Sequence, residues 1–332
     1  MTISRPKLLG LIFFVLTFVL AGLLFFFLKS LILDFQPSAS PSPIAEKPVQ
    51  LILVGDIMLD RGVAWQIEKN NADYSFPFLK IAEELKKADL VFGNLESQIS
   101  DQGQKVGSIY SFRAKPEARA GLKSAHFQIL SLANNHALDY GRQALTDSLN
   151  RLLDGQLSPV GAGLESQAFA PVIKNIRGTK VTFFAYADLG SASWLAKAET
   201  PGIAQINEGN LEKIKADIKL AKTLTDFIIV TIHWGDEYAE KANARQILLA
   251  HAFVDAGADL VVGSHPHVMQ NQEAYQGKLI FYSLGNFVFD QSFSESTMQG
   301  GLLRVSIQGK KLLKAVLEKI KINGSFQPEL AE

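Results

Sequence analysis

The chain has 332 residues, with 33 basic and 33 acidic side chains and no cysteine. The lack of cysteine excludes disulfide bonds and thiolate metal ligands. The first 33 residues contain Arg5, Lys7 and Lys29 but no acid, so the remainder is mildly acidic, and nothing in this balance indicates nucleic acid as a partner.

An uncharged apolar run covers residues 8–28, between Lys7 and Lys29. As a helix it would reach about 30 Å, which spans a bilayer. A cleaved signal peptide is the alternative, but its apolar region is usually shorter. We therefore predict a single-pass membrane anchor within residues 1–34. Arg5 and Lys7 favour a cytoplasmic N-terminus, which would place the main domain outside the cytoplasm. Residues 35–48 are rich in proline and serine and predict an extended linker.

Strands and helices alternate through the rest of the chain. Apolar, β-branched runs predict strands at residues 51–54, 89–92, 127–132, 180–188, 226–235, 258–262, 279–289 and 302–308. Helical spacing predicts helices at residues 78–87, 142–153, 211–223 and 244–256. This alternation is typical of an α/β domain with mixed or parallel sheets.

Polar side chains follow the predicted strands where they end. They are Asp56, Asn94, Glu96, Asn135, His136, His233, His265 and His267. Any one of them alone is as well explained as a strand-end cap, but five strands that end this way indicate a common site. Imidazole, carboxylate and amide groups together suit zinc, manganese or iron rather than calcium. The sequence therefore predicts an open, hydrolytic metal site.

The segment His265-Pro266-His267 stands at the centre of this prediction. Proline fixes its own φ and keeps the preceding residue out of the helical region, so we expect an extended segment whose two imidazoles face one point. Asp139 is placed to orient His136, although it is equally well explained as a turn or helix cap.

The motifs together resemble the CapA family of poly-γ-glutamate capsule synthesis proteins, within the calcineurin-like metallophosphoesterase superfamily. They are Gly55-Asp56-Ile57-Met58, Phe92-Gly93-Asn94-Leu95-Glu96, residues 131–141 with Asn134-Asn135-His136, His233-Trp234-Gly235, Gly263-Ser264-His265-Pro266-His267 and Ser283-Leu284-Gly285-Asn286-Phe287. The resemblance implies a four-layer αββα sandwich of the metallo-dependent phosphatase type over residues 49–310. Residues 311–332 would then form a C-terminal extension.

The resemblance also implies roles for individual residues. Asp56 and His267 would bind one metal, while Asn135, His233 and His265 would bind a second, and His136 would be the catalytic histidine. Two positions depart from the superfamily pattern: Met58 stands where a histidine is usual, and Asn94 stands where a bridging aspartate is usual. Glu96 is a candidate to replace that acid. We therefore expect one divalent ion, manganese, zinc or iron, rather than two.

The resemblance implies an anionic γ-glutamyl polymer, the membrane and other subunits of a capsule synthesis complex as partners. Arg61, Arg113 and Arg142 follow or separate the motif strands, and guanidinium groups suit carboxylate recognition. Solvated surface charge is the alternative for each.

Three functions fit these residues. The first is a metal-dependent hydrolase or transferase in polymer synthesis, export or anchoring. The second is a non-enzymatic, polymer-binding subunit of a membrane complex, and the third is a general phosphodiesterase. Loss of the usual residues at Met58 and Asn94 favours the second function over the third. The first function stays open because the sequence retains its candidate histidines, which are His136, His233, His265 and His267.

Overall fold

The computed structural model describes residues 47–106 and 108–331. The predicted anchor at residues 8–28 lies outside these residues, as does the predicted linker apart from its last two positions. Within the two described ranges, no helix is both long enough and apolar enough to cross a lipid bilayer.

Strands dominate the described part of the chain. In chain order they are β1 (Val49–Ile57), β2 (Leu90–Leu95), β3 (Gln98–Ile99), β4 (Arg113–Ala114), β5 (Phe127–Ser131), β6 (Ser158–Val160), β7 (Ala162–Gly163), β8 (Val172–Ile176), β9 (Thr179–Ala187), β10 (Gly202–Ile203), β11 (Phe227–His233), β12 (Leu260–Ser264), β13 (Gln272–Tyr275), β14 (Lys278–Phe281), β15 (Asn286–Val288), β16 (Gln299–Gln308), β17 (Lys311–Ile322) and β18 (Pro328–Leu330).

Helices connect many of these strands. They are α1 (Arg61–Lys69), α2 (Ala82–Leu85), α3 (Ala118–Ser124), α4 (Gly141–Asp154), α5 (Glu165–Ala168), α6 (Leu211–Leu224) and α7 (Ala244–Ala256), with 3-10 turns at Phe76–Phe78, Ala192–Trp194 and Ser296–Met298. The helices predicted at residues 142–153, 211–223 and 244–256 are confirmed within one residue at each end. The helix predicted at residues 78–87 is wrong over most of its length, because the chain there forms a 3-10 turn around Pro77 and then the short helix α2.

The first sheet has eight strands in the order β18-β17-β16-β1-β2-β5-β6, with β15 also paired to β1. Strands β1, β2, β5 and β6 run parallel, whereas β16, β17 and β18 add antiparallel partners. Strands β17 and β18 lie within the predicted C-terminal extension, residues 311–332, so that segment continues the first sheet.

The second sheet has six strands in the order β13-β14-β12-β11-β9-β8. Its four central strands are parallel and its two edge strands are antiparallel. The prediction of an α/β fold with mixed sheets is therefore confirmed.

Alternate residues of the second sheet face different layers, as the period of a strand requires. Phe183 of β9 stacks on Phe92 of β2, with ring centroids 5.7 Å apart, and so joins the two sheets. Its neighbour Phe184 packs on the opposite face in a second apolar cluster with residues of α6 and α7. On the outer face of the first sheet, Phe127 contacts Phe78 of a 3-10 turn. Helical segments therefore cover the outer faces of both sheets.

The predicted strand at residues 279–289 is wrong as a single element. The chain forms β14 in the second sheet, and then crosses through residues 282–285 into β15 of the first sheet. Gly285 permits this crossing because its φ is +68°, a conformation that favours glycine. The crossing lies against β1, since a Cβ atom on Gly55 would stand 1.8 Å from the carbonyl oxygen of Gly285.

We predict that Gly55→Ala lowers the free energy of unfolding by about 3 kcal/mol, because a backbone clash is not relieved by side-chain rotation. Gly324→Ala is the matched control, since no atom lies within 4 Å of its added Cβ, and it should change stability by less than about 0.5 kcal/mol. Urea denaturation followed by tryptophan fluorescence measures both. Equal stabilities for the two variants would contradict the close approach of β1 to the crossing.

Candidate metal centre

The carboxyl ends of five parallel strands deliver the candidate site. Asp56 lies in β1, Asn94 in β2 and His233 in β11, while the remaining residues lie in the loops that follow strands. They are Glu96 after β2, Asn135 and His136 after β5, and His265 and His267 after β12. Because β1, β2 and β5 belong to the first sheet and β11 and β12 to the second, the site straddles the two sheets.

The structure brings all seven predicted metal ligands together. Nε2 of His233 lies 2.8 Å from Oδ1 of Asn135 and 3.1 Å from Nδ1 of His265, and the two histidine rings are 4.7 Å apart. The backbone N–H of His265 donates to Asp56, across the sheets, at 3.1 Å. Residues more than two hundred positions apart in sequence therefore meet in one place.

Asn94 joins the two buried carboxylates of the site. Its Nδ2 donates to Oδ1 of Asp56 at 2.7 Å and lies 3.5 Å from Oε2 of Glu96. Its Oδ1 accepts from Nδ2 of Asn134 at 3.3 Å. The amide of Asn94 thus stands where the superfamily pattern has a bridging acid, and both its nitrogen and its oxygen form hydrogen bonds to other side chains of the protein. Its role as a metal ligand stays a prediction.

Two groups of potential ligands occur among the described residues, each with donor atoms within 4.8 Å of one another. The inner donor set is Asp56, Glu96 and His233, all of them buried. The outer donor set is His265, His267 and the exposed Glu237. This grouping differs from the one that the family resemblance implies, which would assign His265 to the same ion as His233.

The inner donor set fits a cation. Glu96 is fully buried, and its Oε1 has no hydrogen-bond partner among the described residues. Burial, together with the neighbouring Asp56, raises the pKa of Glu96 well above its usual value. A buried carboxylate oxygen without a donor carries a desolvation cost that a bound cation would offset. The mixture of carboxylate and imidazole suits manganese, zinc or iron.

The central histidines are neutral and so have lone pairs to offer. Burial lowers the pKa of His233 well below its usual value, and the neighbouring His265 and His267 act in the same direction. Burial, followed by His267, lowers the pKa of His265 to about 3. Neutral imidazole is the form that binds metals.

The expectation of an extended His265-Pro266-His267 segment is wrong. His265 has a φ of +97° and His267 a φ of +59°, so the segment forms a bend after β12. Proline restricts its own φ and disfavours only the helical region for the residue before it, so the left-handed region stays open to His265. Such conformations cost about 1–3 kcal/mol each and cluster at functional sites. The bend still brings the rings within 5.8 Å.

His136 stands at the edge of the donor sets and is held in one orientation. Its Nδ1 lies 2.8 Å from Oδ2 of Asp139, and its ring packs on Phe112 with centroids 4.2 Å apart. The same carboxylate oxygen accepts the backbone N–H of Phe112 at 2.8 Å. Asp139 therefore directs Nε2 of His136 toward Glu96, whose Oε1 is 3.6 Å away.

A cleft of ≈ 840 Å³ opens over these residues. Its walls include Asn135, His136, Asp139 and His267, with Arg61 from the start of α1 and Tyr238 and Phe293 from surrounding loops. Tyr238 lines the cleft, whereas Trp234 is buried, with its indole N–H donating to the carbonyl oxygen of Tyr282 at 2.8 Å. Met58 is also buried, and its sulfur accepts the backbone N–H of Asp60 at 3.1 Å.

The three predicted substrate-binding arginines are placed differently. Arg61 lines the cleft, stacks over Phe112 at 4.6 Å and pairs with Asp290. Arg113 stacks over Tyr140 and donates to the carbonyl of Gln102 at 2.9 Å. Arg142 donates to the carbonyls of Pro201 and Ser193. Neither Arg113 nor Arg142 is among the residues that line the cleft, and substrate binding by all three stays a prediction.

Sequence reasoning did not select Asn286, although it lies in one of the quoted motifs. Its Nδ2 donates to Gln291 and to the carbonyl of Thr297, so its Oδ1 faces Nδ1 of His267 at 3.0 Å. Oδ1 is an acceptor, so Nδ1 of His267 carries the proton and Nε2 keeps its lone pair. Glu237 was also not selected, because nothing in the local sequence distinguishes it from other exposed acids.

Comparison with solved structures supports this architecture. A crystal structure described as a novel phosphatase from Mycoplasma pneumoniae matches with a TM-score of 0.50 at 15% identity, over 83% of this chain and 94% of that one. This likeness concerns the fold alone. Two mixed sheets with acids, amides and histidines gathered at their carboxyl edges define an α/β protein with a phosphatase-like fold.

Comparison of sequences identifies the family. The family model for the bacterial capsule synthesis protein PGA_cap matches residues 50–291. The capsule biosynthesis protein CapA of Bacillus anthracis is 35% identical over 84% of this chain and 69% of its own length. The PGA biosynthesis protein CapA of Bacillus subtilis is 36% identical over 73% of this chain, which spans 64% of that relative. The chain belongs to the bacterial capsule synthesis protein family.

We predict that Glu96→Gln weakens Mn²⁺ binding at least about tenfold, because a direct ligand matters at least as much as a supporting one. In EDTA, without metal, the raised pKa of Glu96 means that its carboxyl group holds a proton more tightly in the folded state than in the unfolded state. Stability of the metal-free wild type should therefore fall as pH rises above about 4.5, and the variant should lack this contribution.

Melting temperatures at pH 5 and pH 8, with EDTA and with Mn²⁺, test both effects. At pH 8 in EDTA, Glu96→Gln should have a higher melting temperature than wild type. Added Mn²⁺ should raise the melting temperature of the variant less than that of wild type. Glu208→Gln, at an exposed acid on a loop, is the control. Equal stabilisation of wild type and Glu96→Gln by Mn²⁺ would rule out Glu96 as a ligand.

Proposed function

We propose that this protein acts in poly-γ-glutamate capsule biosynthesis, in the synthesis, export or anchoring of the polymer. In this proposal its cleft is a metal-dependent hydrolase or transferase site for γ-glutamyl chains, on the four-layer scaffold of the metallo-dependent phosphatases. The observation that carries the proposal is the orphaned carboxylate oxygen of Glu96, buried beside His267 and an oriented His136. Membership of the capsule synthesis family and the names of the Bacillus relatives, a capsule biosynthesis protein and a PGA biosynthesis protein, support the polymer.

The chain's own residues supply defined parts of the chemistry. A divalent ion held by Asp56, Glu96 and His233 would, when bound, polarise the reacting group and lower the pKa of a bound water. His136 lines the cleft, and Asp139 holds its Nδ1, so Nε2, 3.6 Å from Oε1 of Glu96, is the atom that would pass a proton to a leaving group. Phe112 packs on the same ring and limits its rotation.

The charge of the cleft constrains how a polyanion would enter. Of the described residues that line it, Asp139, Glu237 and Asp290 are acidic and Arg61 is the only lysine or arginine. Arg61 is already paired with Asp290. Bound cations would reverse the sign of the electrostatic potential in the cleft. We therefore expect binding of poly-γ-glutamate to require the metal.

We predict that full-length protein with Mn²⁺ cleaves or transfers labelled poly-γ-glutamate, and that His136→Ala lowers the rate at least about a hundredfold, the usual contribution of a general acid. Polymer binding should survive in the variant. His251→Gln is the control, because His251 lies on α7 and pairs with Glu273 outside the cleft.

Gel electrophoresis of the polymer and a chromogenic phosphodiester are followed side by side. Metal-dependent polymer binding without turnover by wild type would support the non-enzymatic subunit instead. Phosphodiester turnover with no action on polymer would support a general phosphodiesterase.

We also propose that residues 1–34 anchor the protein in the cell membrane, with a cytoplasmic N-terminus and an extracytoplasmic main domain. The apolar run at residues 8–28 and the charges of Arg5 and Lys7 support this. Full-length protein should remain in the membrane pellet after carbonate extraction, whereas a chain lacking residues 1–34 should be released. Protease added to intact spheroplasts should digest the main domain, and its protection there would contradict the proposed orientation.

A further inference from the structure

The loop after β11 is tied to the His265-Pro266-His267 bend at both of its ends. The backbone N–H of Trp234 donates to the carbonyl of Ser264 at 3.1 Å, and that of Tyr238 donates to the carbonyl of Pro266 at 2.8 Å. Gly235 makes the intervening turn with a φ of +86°. Glu237 is thereby held beside both histidines although it lies on an exposed loop.

Glu237 and the two histidines converge on one point. One donor atom from each lies within 4.8 Å of the others. Asn286 fixes the proton of His267 on Nδ1, which leaves Nε2 as the donor atom of that ring. The ring of Tyr238 covers His267 with centroids 6.1 Å apart and so closes one side of the group.

Two further carboxylates border this position, since Oε1 of Glu96 lies 3.8 Å from Nε2 of His267 and Oδ2 of Asp56 lies 3.5 Å from Nδ1 of the same ring. Asn94 is neutral, and the sulfur of Met58 is turned to a backbone N–H. The carboxylates of Asp56 and Glu96 belong to the inner donor set. A divalent ion bound by the imidazoles of His265 and His267 alone would keep its full charge, whereas a carboxylate ligand at Glu237 offsets half of it.

We propose that Glu237 is a metal ligand, which completes with His265 and His267 an outer cation position beside the inner donor set. This inference rests on the metal-binding part of the proposed function. It makes two cations per chain the expected stoichiometry, where the sequence predicted one. The outer cation would lie at the cleft, because Glu237 and His267 both line it.

Asp236 provides a matched control one residue away. Its Oδ2 accepts from Nδ2 of Asn243 at 2.8 Å, and it belongs to neither donor set. Asp236→Asn removes the same unit of charge from the same loop. A loss seen in Glu237→Gln but not in Asp236→Asn therefore reports ligation rather than the general field of the loop.

The test uses full-length protein in detergent, stripped with EDTA and titrated with Mn²⁺ by calorimetry, with bound metal counted by mass spectrometry. Wild type and Asp236→Asn should bind two ions per chain. Glu237→Gln should retain one ion with nearly unchanged affinity and bind the other at least about tenfold more weakly. Electron paramagnetic resonance should show coupled Mn²⁺ pairs in wild type and isolated Mn²⁺ in Glu237→Gln.

Two different failures are distinguishable. Metal binding by wild type that is unchanged in Glu237→Gln would overturn the outer position and leave the proposed function standing. No metal binding by wild type would overturn both. An equal loss in Asp236→Asn and Glu237→Gln would overturn ligation by Glu237, because charge alone would then explain it.

Discussion

Two carboxylates buried with too few donors are the constraint on which the rest of the site depends. Asp56 and Glu96 are both fully inaccessible to solvent, and Asn94 is the side chain that donates between them. In a medium of low polarity such a pair does not ionise freely, which is why the pKa of Glu96 is raised. Burial lowers the pKa of His233 and of His265, so these two histidines are neutral and supply no compensating charge. The pocket is therefore built around a positive charge that the polypeptide itself does not provide.

The fold holds this unfavourable arrangement in place with backbone rather than with flexible side chains. Gly55 and Gly285 approach so closely that β1 and the crossing from β14 to β15 fix each other. The crossing also delivers Asn286, whose amide selects the protonated nitrogen of His267. The left-handed backbone of His265 and His267 adds conformational strain. The free-energy cost of this strain is smaller than the stabilisation from the buried apolar side chains of both sheets.

The sequence was most informative where local pattern and function coincide. Buried strands that end in polar residues predicted that Asp56, Asn94, His233 and His265 would meet, because parallel strands end at one edge of a sheet. The split of residues 279–289 between two sheets could not be predicted, since an apolar strand has the same pattern in either sheet. The position of Glu237 depends on a hydrogen bond between two distant loops, and the carbonyls bound by Arg113 and Arg142 depend on loop packing. Such tertiary contacts leave no trace in local periodicity.

The division of the donors between two sheets has a consequence for maturation. Asp56 and Glu96 come from the first sheet, while His233 and His265 come from the second. A partly folded chain that has assembled only one sheet therefore offers half of the ligands and retains ions poorly. If the proposed cation binds, its uptake would belong to the last stage of folding, and it would link the two sheets and stabilise only the chain that has folded completely.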